Sequence, residues 1–444
     1  MRKNPITSDL KGSLRPSLNT GGDDLDSPRI HRTVPPLLRN VAFRRYWVGQ
    51  SLSLAGGQIS MLAFPLTAVL VLKTNAIGMA LITAIGALPS LLLSIPVGAW
   101  VDRRGRQRQI MIVADLLRAL LIALIPVAWG LHLLRMSLLI GLWFGVGICS
   151  VFFRVSSNTV FVALIPREKY AEANGLLQQA QSAGFLIGPA LGGWLIQVLT
   201  APGALLGDAL SFLASALSLS VIHPQEPPAA KSPDQRIWEG IRFVRSSPIL
   251  RSTFAAQLTQ SFFRAVFTTV YILYATRYLH VTPVQWGLIF GPSSVFAILG
   301  SSFATRLSRR VGLGLTLIMG SALFTWPLLV VPLIAGRHVI IVGTLFLAEG
   351  VSGAGAMIQA VASGTIRAAA VPDSLRARVM AAFTVAGRGM TPVGAACAAL
   401  LAWPLGVHLT VLVATIGLSV SFFWLLTPAI VSLRNHEQLQ PIAK

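Results

Sequence analysis

Charge-poor, apolar runs of about 20 residues recur along this sequence, the length at which a helix crosses the hydrocarbon core of a bilayer. Twelve such runs fall at roughly 46–70, 77–101, 109–129, 136–157, 179–198, 203–221, 252–276, 284–304, 312–334, 338–363, 379–401 and 408–430. Short polar stretches separate them. The pattern predicts an all-α membrane protein with twelve transmembrane helices, the lipid bilayer being its first partner.

Composition agrees. Of 444 residues, 54% are hydrophobic and 11% charged, with mean hydropathy +0.70; a soluble chain carries about one quarter charged residues. The formal net charge of +21 raises the question of nucleic acid, and the placement of the charges answers it. With the N-terminus set inside, 28 of the 36 Lys and Arg residues fall on the inner side, in the tails, the even-numbered turns and the central linker. Lys73, Arg135, Arg277 and Arg337 fall outside, while Arg118, Arg154, Arg264 and Arg388 lie within spans. This bias follows the positive-inside rule. Both termini are therefore expected in the cytoplasm, the default location is a bacterial inner membrane, and nucleic-acid binding is not expected. Residues 1–40 are polar and lack the apolar core of a signal peptide, so a disordered cytoplasmic tail is expected there. Cys149 and Cys397 sit inside spans, which indicates neither a disulfide framework nor a metal site.

The longest polar break after the tail, residues 223–248, parts six spans from six. It gives bundles at 41–222 and 249–431, a cytoplasmic linker between them and a second tail at 432–444. Within the linker, Gln235 to Arg245 is expected to form a short amphipathic helix along the inner surface. The bundles echo each other. Gly98 precedes one basic turn and Gly300 another, 202 residues on; Pro189 matches Pro392 at 203, and Pro166 matches Pro372 at 206. A near-constant offset indicates a duplicated six-helix unit, and an even number of spans per unit makes the two repeats parallel.

These features carry a resemblance. "GAWVDRRGRQR" places Gly98, Asp102, Arg103, Gly105 and Arg106 between spans two and three. "GFLIGPALGG" places Gly184, Gly188, Pro189, Gly192 and Gly193 in span five. The chain resembles a major facilitator superfamily transporter over about residues 40–430, and the span-five signature resembles that of its antiporter branches. "FRRYWVGQSLSLAGGQIS" and "ADLLRAL" further resemble a bacterial exporter subgroup that includes the enterobactin exporter and macrolide efflux proteins. The arginine-centred span-four motif of many proton-driven drug exporters is missing, so proton coupling follows from the resemblance alone.

Gly184, Gly188 and Gly192 recur every four residues and lie on one side of a helix. Small residues at that spacing make a close-contact face in lipid. Two readings stand: an ordinary tight helix crossing, or, as the resemblance implies, a bendable seam between the halves. Pro189 adds a kink, tolerated where a neighbour satisfies the carbonyl it frees. In the superfamily the aspartate at Asp102 faces the N-terminus of span eleven, here "PDSLRARV". Asp373 or Ser374 would cap that helix, whose positive end attracts a carboxylate. The resemblance thus implies an inner latch; the alternative is a topological positive cluster. The second-half copy has Ala304 or Thr305 in place of the aspartate.

Ionisable groups within spans cost about 2.5–3.5 kcal/mol on insertion scales. The resemblance implies that spans one, four, seven and ten line a central cavity. All four carry polar stripes at helical spacing: Gln50, Ser53, Gly57 and Ser60; Gly147, Ser150, Arg154 and Ser157; Gln257, Gln260, Arg264, Phe267, Tyr271 and Tyr274; Glu349, Ser352, Ala356, Gln359 and Ser363. They read either as a wetted cavity or as polar glue between helices. Glu349 is the single carboxylate on a cavity span. With Arg264 or Arg388 as partner it is the candidate proton-coupling site; a static ion pair is the competing reading. Asp115 and Arg118 on span three, and Asp208 near the first turn of span six, fall on supporting spans and take a structural or secondary coupling role. The positive balance near the cavity favours a small anionic or neutral amphiphile.

The function expected is a secondary exporter of a drug-like or siderophore-like small molecule, by proton antiport and alternating access. An uptake symporter of the same fold, or a non-transporting sensor or scaffold, is the alternative. No nucleotide-binding loop and no metal-ligand spacing of histidines occurs, so neither an enzyme nor a cofactor is expected. A monomer is the default.

Overall fold

The computed structural model describes residues 36–222 and 237–433. The tails expected at 1–40 and 432–444 lie largely outside these residues, as does the first part of the linker. Where the tails come into view they are ordered. Pro36–Arg39 form a 3₁₀ turn, and the Asn40 side chain accepts the amides of Ala42 and Phe43 to cap α1 (Val41–Leu66). At the other end the carbonyl of buried Leu433 accepts the Gly314 amide at 2.9 Å.

The described residues are helical, without strands. After α1 come α2 (Ala76–Arg104), α3 (Gln107–Gly130), α4 (Met136–Leu164), α5 (Tyr170–Ser220), α6 (Ile237–Ser246), α7 (Pro248–Arg277), α8 (Pro283–Val311), α9 (Leu313–Thr325), α10 (His338–Ala370) and α11 (Asp373–Val420). Sequence chemistry sets many of the starts. Asn75, Ser247 and Thr282 cap α2, α7 and α8 through their side chains, and Pro248 and Pro283 open the latter two. Pro327 and Pro332, which lack amides, turn the end of the ninth span into a 3₁₀ helix, Trp326–Leu333.

Nine segments of the described chain are apolar and long enough to cross a membrane. Two of them, α5 and α11, have 51 and 48 residues, twice the length a bilayer needs. Each contains one non-helical residue, Thr200 or Gly406, where the chain turns back. Both limbs of α5 accordingly reach the same end of α1: Trp47 donates to the Leu176 carbonyl, and Ser218 to the Arg45 carbonyl. Counted by limb, and with the more polar 30-residue α7, twelve segments cross.

The duplication is visible in backbone detail. Gly105 and Gly312, both at positive φ (61° and 92°), end the second span of each half. Thr200 and Gly406, at φ 71° and 76°, break the doubled helices. The linker helix α6 matches its expected place but does more than lie on a surface. Gly240 sits against the Arg378 backbone of α11, where an added Cβ would collide with the carbonyl oxygen. Val244 is buried with Val379 and Phe383, and Arg378 pairs with Glu239.

Packing differs between the two ends of the molecule. At the end away from α6, one continuous apolar core joins both halves, from Phe64, Met79 and Ile125 to Tyr274, Trp286 and Val331. At the linker end every cluster belongs to a single half: Phe43, Met111 and Phe153 in the first, Leu317, Ile366 and Leu425 in the second. The halves close at the far end and part at the linker end.

Candidate functional site

A cavity of 180 Å³ lies where the halves meet. Gln58 and Met61 of α1 and Phe185 and Pro189 of α5 form one wall; Arg264 and Tyr271 of α7, Ser294 of α8 and Glu349 of α10 form the other. Arg264 Nη2 stands 4.0 Å from Glu349 Oε2. The carboxylate is buried, whereas the guanidinium side chain is 32% exposed and lies 5.6 Å and 5.7 Å from the Phe267 and Phe324 ring centroids. Arg264 Nη1, Glu349 Oε1 and the Tyr271 hydroxyl are buried; the hydroxyl faces the Glu349 carboxylate, but none of the three atoms completes a well-formed hydrogen bond among the described residues. A saturated bidentate pair would use these atoms. This pair is loose, and it retains donors and acceptors beside a partly open cavity.

The wall between the halves is built by Pro189. Its ring removes the amide that would bond the Phe185 carbonyl. The Ser294 hydroxyl of α8 donates to that carbonyl at 2.8 Å, so the neighbour expected to satisfy it comes from the opposite half. Beside it, a Cβ on Gly287 would stand 2.7 Å from the Pro189 carbonyl oxygen, and one on Gly193 would stand 2.5 Å from that of Pro283. Arg277 closes the far end by donating to the Thr74 carbonyl at 2.7 Å. The remaining motif glycines correct the seam expectation. Gly184, Gly188 and Gly192 face Leu54–Ile59 of α1 within their own half. They lie about 100° round the helix from Pro189 and Gly193, so the stripe is an intra-bundle crossing, and Pro189 with Gly193 makes the seam. The helix stays helical through Pro189; its one break is Thr200.

The sequence profile of the Major Facilitator Superfamily matches residues 46–395. The chain belongs to that superfamily. Among curated relatives, it is 27% identical over 309 residues to the multidrug efflux pump Tap of Mycolicibacterium fortuitum, covering 62% of this chain and 72% of the relative. It is 25% identical over 254 residues to macrolide efflux protein A of Streptococcus pyogenes, covering 55% and 61%. Among solved structures, a bacterial homologue of the iron transporter ferroportin in the inward-facing state superposes with TM-score 0.66 at 17% identity, over 88% of this chain and 100% of the other. The fold is thus the superfamily's twelve-helix, two-repeat architecture, and the protein is a multi-pass membrane transporter.

Within that architecture the expected cavity residues divide among three places. Arg264, Tyr271 and Glu349 line the central cavity. Gln50 lines a 310 Å³ pocket inside the first half, with Tyr46, Ser157, Asn158 and Gln178. Gln257, Gln260 and Gln359 line a 290 Å³ pocket inside the second half, near Arg367. There Gln359 donates to Gln260 at 2.8 Å and Gln260 to Ser321 at 3.0 Å, the glue reading of the stripes. Phe267 is corrected: it is fully buried, stacked on Tyr271 at 4.5 Å, and presents no surface to a ligand. Tyr274 is likewise buried, against Tyr278 and His408. Arg388 is exposed on α11 and lies in the field of Arg154 on α4, so the partner of Glu349 is Arg264. Arg154 donates to the Ser90 hydroxyl at 3.1 Å.

Two further expectations change. Asp208 lies two turns beyond the break at Thr200, so hydroxyls and not a helix terminus hold its carboxylate. The N-cap of α11 is Pro372, with Asp373 and Ser374 already helical and no side-chain cap bond. Gly98 lies in α2, Arg103 in its last turn, and Gly105 and Arg106 make the left-handed turn into α3; the Asp102 and Asp373 side chains lie outside the described ones. Sequence reasoning missed Gln58, Met61 and Ser294. Gln58 is polar and directly follows the stripe residue Gly57, a weak signal; Ser294 carries none until Pro189 is set beside it.

Proposed function

We propose that the protein is a bacterial inner-membrane exporter that moves a small anionic or neutral amphiphile outward in exchange for inward protons. The observation that carries this reading is the loose Arg264–Glu349 pair in a cavity walled on the other side by Pro189. A charge pair at the boundary of two halves changes partners when the halves move, and a carboxylate that loses its guanidinium takes up a proton more readily. Arg154 and Arg388 add positive field from the two halves, which supports an anionic or neutral substrate over a lipophilic cation. The efflux names of the relatives support export.

The positive-inside bias supports a cytoplasmic linker end and cytoplasmic termini. In that orientation the state described here opens to the cytoplasm. The bundles at 41–222 and 249–431 rock about the cavity, and the basic turn holding Asp102 latches on α11 when the linker end closes. One charge crossing 100 mV supplies about 2.3 kcal/mol before any pH term. Each chain contains a whole cavity, which supports a monomer.

The test is export from inverted membrane vesicles of a panel of anionic siderophore-like compounds, macrolides and cationic dyes, with and without a proton gradient. Gradient-dependent accumulation of an anionic or neutral member supports the proposal. Accumulation of cationic dyes alone contradicts the substrate class, and gradient-independent movement contradicts the antiport.

A further inference from the structure

A second set of charges, unused by the central cavity, lies deep in the first half. Asp208, on the second limb of α5, is 1% exposed; Asp115 and Arg118, on α3, are 0% and 6% exposed. Arg118 donates to Asp115 Oδ1, and its guanidinium sits between the Phe153 and Phe212 rings, 4.2 Å from each centroid. Among the described residues no cation reaches ion-pair distance of Asp208. Its Oδ2 accepts from the Ser60 hydroxyl of α1, and its Oδ1 lies 3.1 Å from the Ser211 hydroxyl. The other groups turned towards this cluster are Cys149 of α4 and Ser215 of α5.

Among the described residues the Asp208 carboxyl meets hydroxyls and no counter-charge. Ser211 has one hydroxyl hydrogen and gives it to the Asp208 backbone carbonyl at 2.7 Å. The same hydroxyl is 3.1 Å from Oδ1, where it either shares its hydrogen with an ionised carboxyl or accepts one from a protonated carboxyl. Charge bookkeeping favours the second: two carboxylates share one guanidinium away from water, and one proton makes the set neutral. Ser215 faces Asp115 without completing a well-formed hydrogen bond, and Arg118 Nε is buried and unused, so the guanidinium retains a donor that can re-pair when the proton leaves.

We propose that Asp208 is a proton-binding site that controls the seating of α1. Protonated, it donates from Oδ1 to Ser211 and accepts from Ser60 at Oδ2. Deprotonated, it turns to share Arg118 with Asp115 and releases Ser60. Gly56 lets α1 lie directly on the pair, since a Cβ there would stand 2.6 Å from Oδ1. On a neighbouring face α1 presents Gln58 and Met61 to the central cavity, so the proton acts on a cavity wall about one turn away. The site shares no residue with the Arg264–Glu349 pair and stands whether or not that pair couples protons.

Two measurements on the full-length protein in liposomes test it. The first is infrared difference spectroscopy of the protonated-carboxyl C=O stretch between acid and alkaline buffer. Wild type is expected to show a band that Asp208→Asn removes, Ser211→Ala shifts and Glu349→Gln leaves in place. If Asp208→Asn fails to fold, the shift in Ser211→Ala decides. A band unchanged in the foldable variants overturns the proposal. The second is maleimide labelling of Gln58→Cys with Cys149 and Cys397 replaced by alanine. Corrected at each pH for the labelling of a solvent-exposed reference cysteine, since the thiolate is the reacting species, the rate is expected to quicken several-fold at alkaline pH, and to lose that excess with Ser60→Ala. A corrected rate indifferent to pH in the parent overturns the link to α1.

Discussion

At the scale of single residues, the seam between the halves depends on one missing amide. Pro189 frees the Phe185 carbonyl, and Ser294 supplies the hydrogen bond from the other half. Ser294→Ala is expected to cost about 1 kcal/mol of the far-end-closed state. In a Pro189→Ala background the helix recovers its own donor, and the same substitution is expected to cost little. A double-mutant cycle read by thermal melting in detergent checks this; additive effects would show that the two residues do not act together. Glu349→Gln removes the acid that pairs with Arg264, and export by this variant in vesicles is expected to lose its pH dependence. Export against a gradient with an unchanged pH profile would end the coupling role of that pair.

At the scale of elements, the doubled helices show what an internal repeat can reveal. Gly406 takes φ 76° at no steric cost, but its counterpart Thr200 holds φ 71° with a branched side chain. Thr200→Gly is expected to relieve strain of about 1–3 kcal/mol, less the entropy glycine adds to the unfolded chain. The readout is melting temperature, expected to rise. The twelve spans were legible because a bilayer imposes length and apolarity, and caps such as Asn75 and Thr282 are written locally. The faces of the spans were not legible. Ser60, bonded to Asp208, and Gln260, bonded to Gln359, have the same spacing as residues that line the central cavity between the halves. A polar side chain between two helices of one bundle leaves the same sequence pattern as one facing water. The glycine stripe of α5 misled for the same reason: spacing gives a shared face but not the neighbour it meets.

At the scale of the whole molecule, apolar packing sets the conformation. A core shared by both halves at the far end, and separate clusters at the linker end, hold the halves apart on one side only. Gly287→Ala would drive a Cβ towards the Pro189 backbone, which cannot yield as a side chain can. Overpacking of this kind costs about 1–3 kcal/mol and is expected to shift the population towards the form closed at the linker end. The central claim is that the two ends open alternately about one cavity. The direct measurement is pulsed electron–electron distance spectroscopy on two spin-label pairs, with Cys149 and Cys397 first replaced. Glu168 and Ser374 report the linker end, and Leu133 and Leu333 the far end. As pH is changed across the membrane, the account predicts that the first distance shortens while the second lengthens. Two distances that stay fixed, or that change in the same direction, would contradict it.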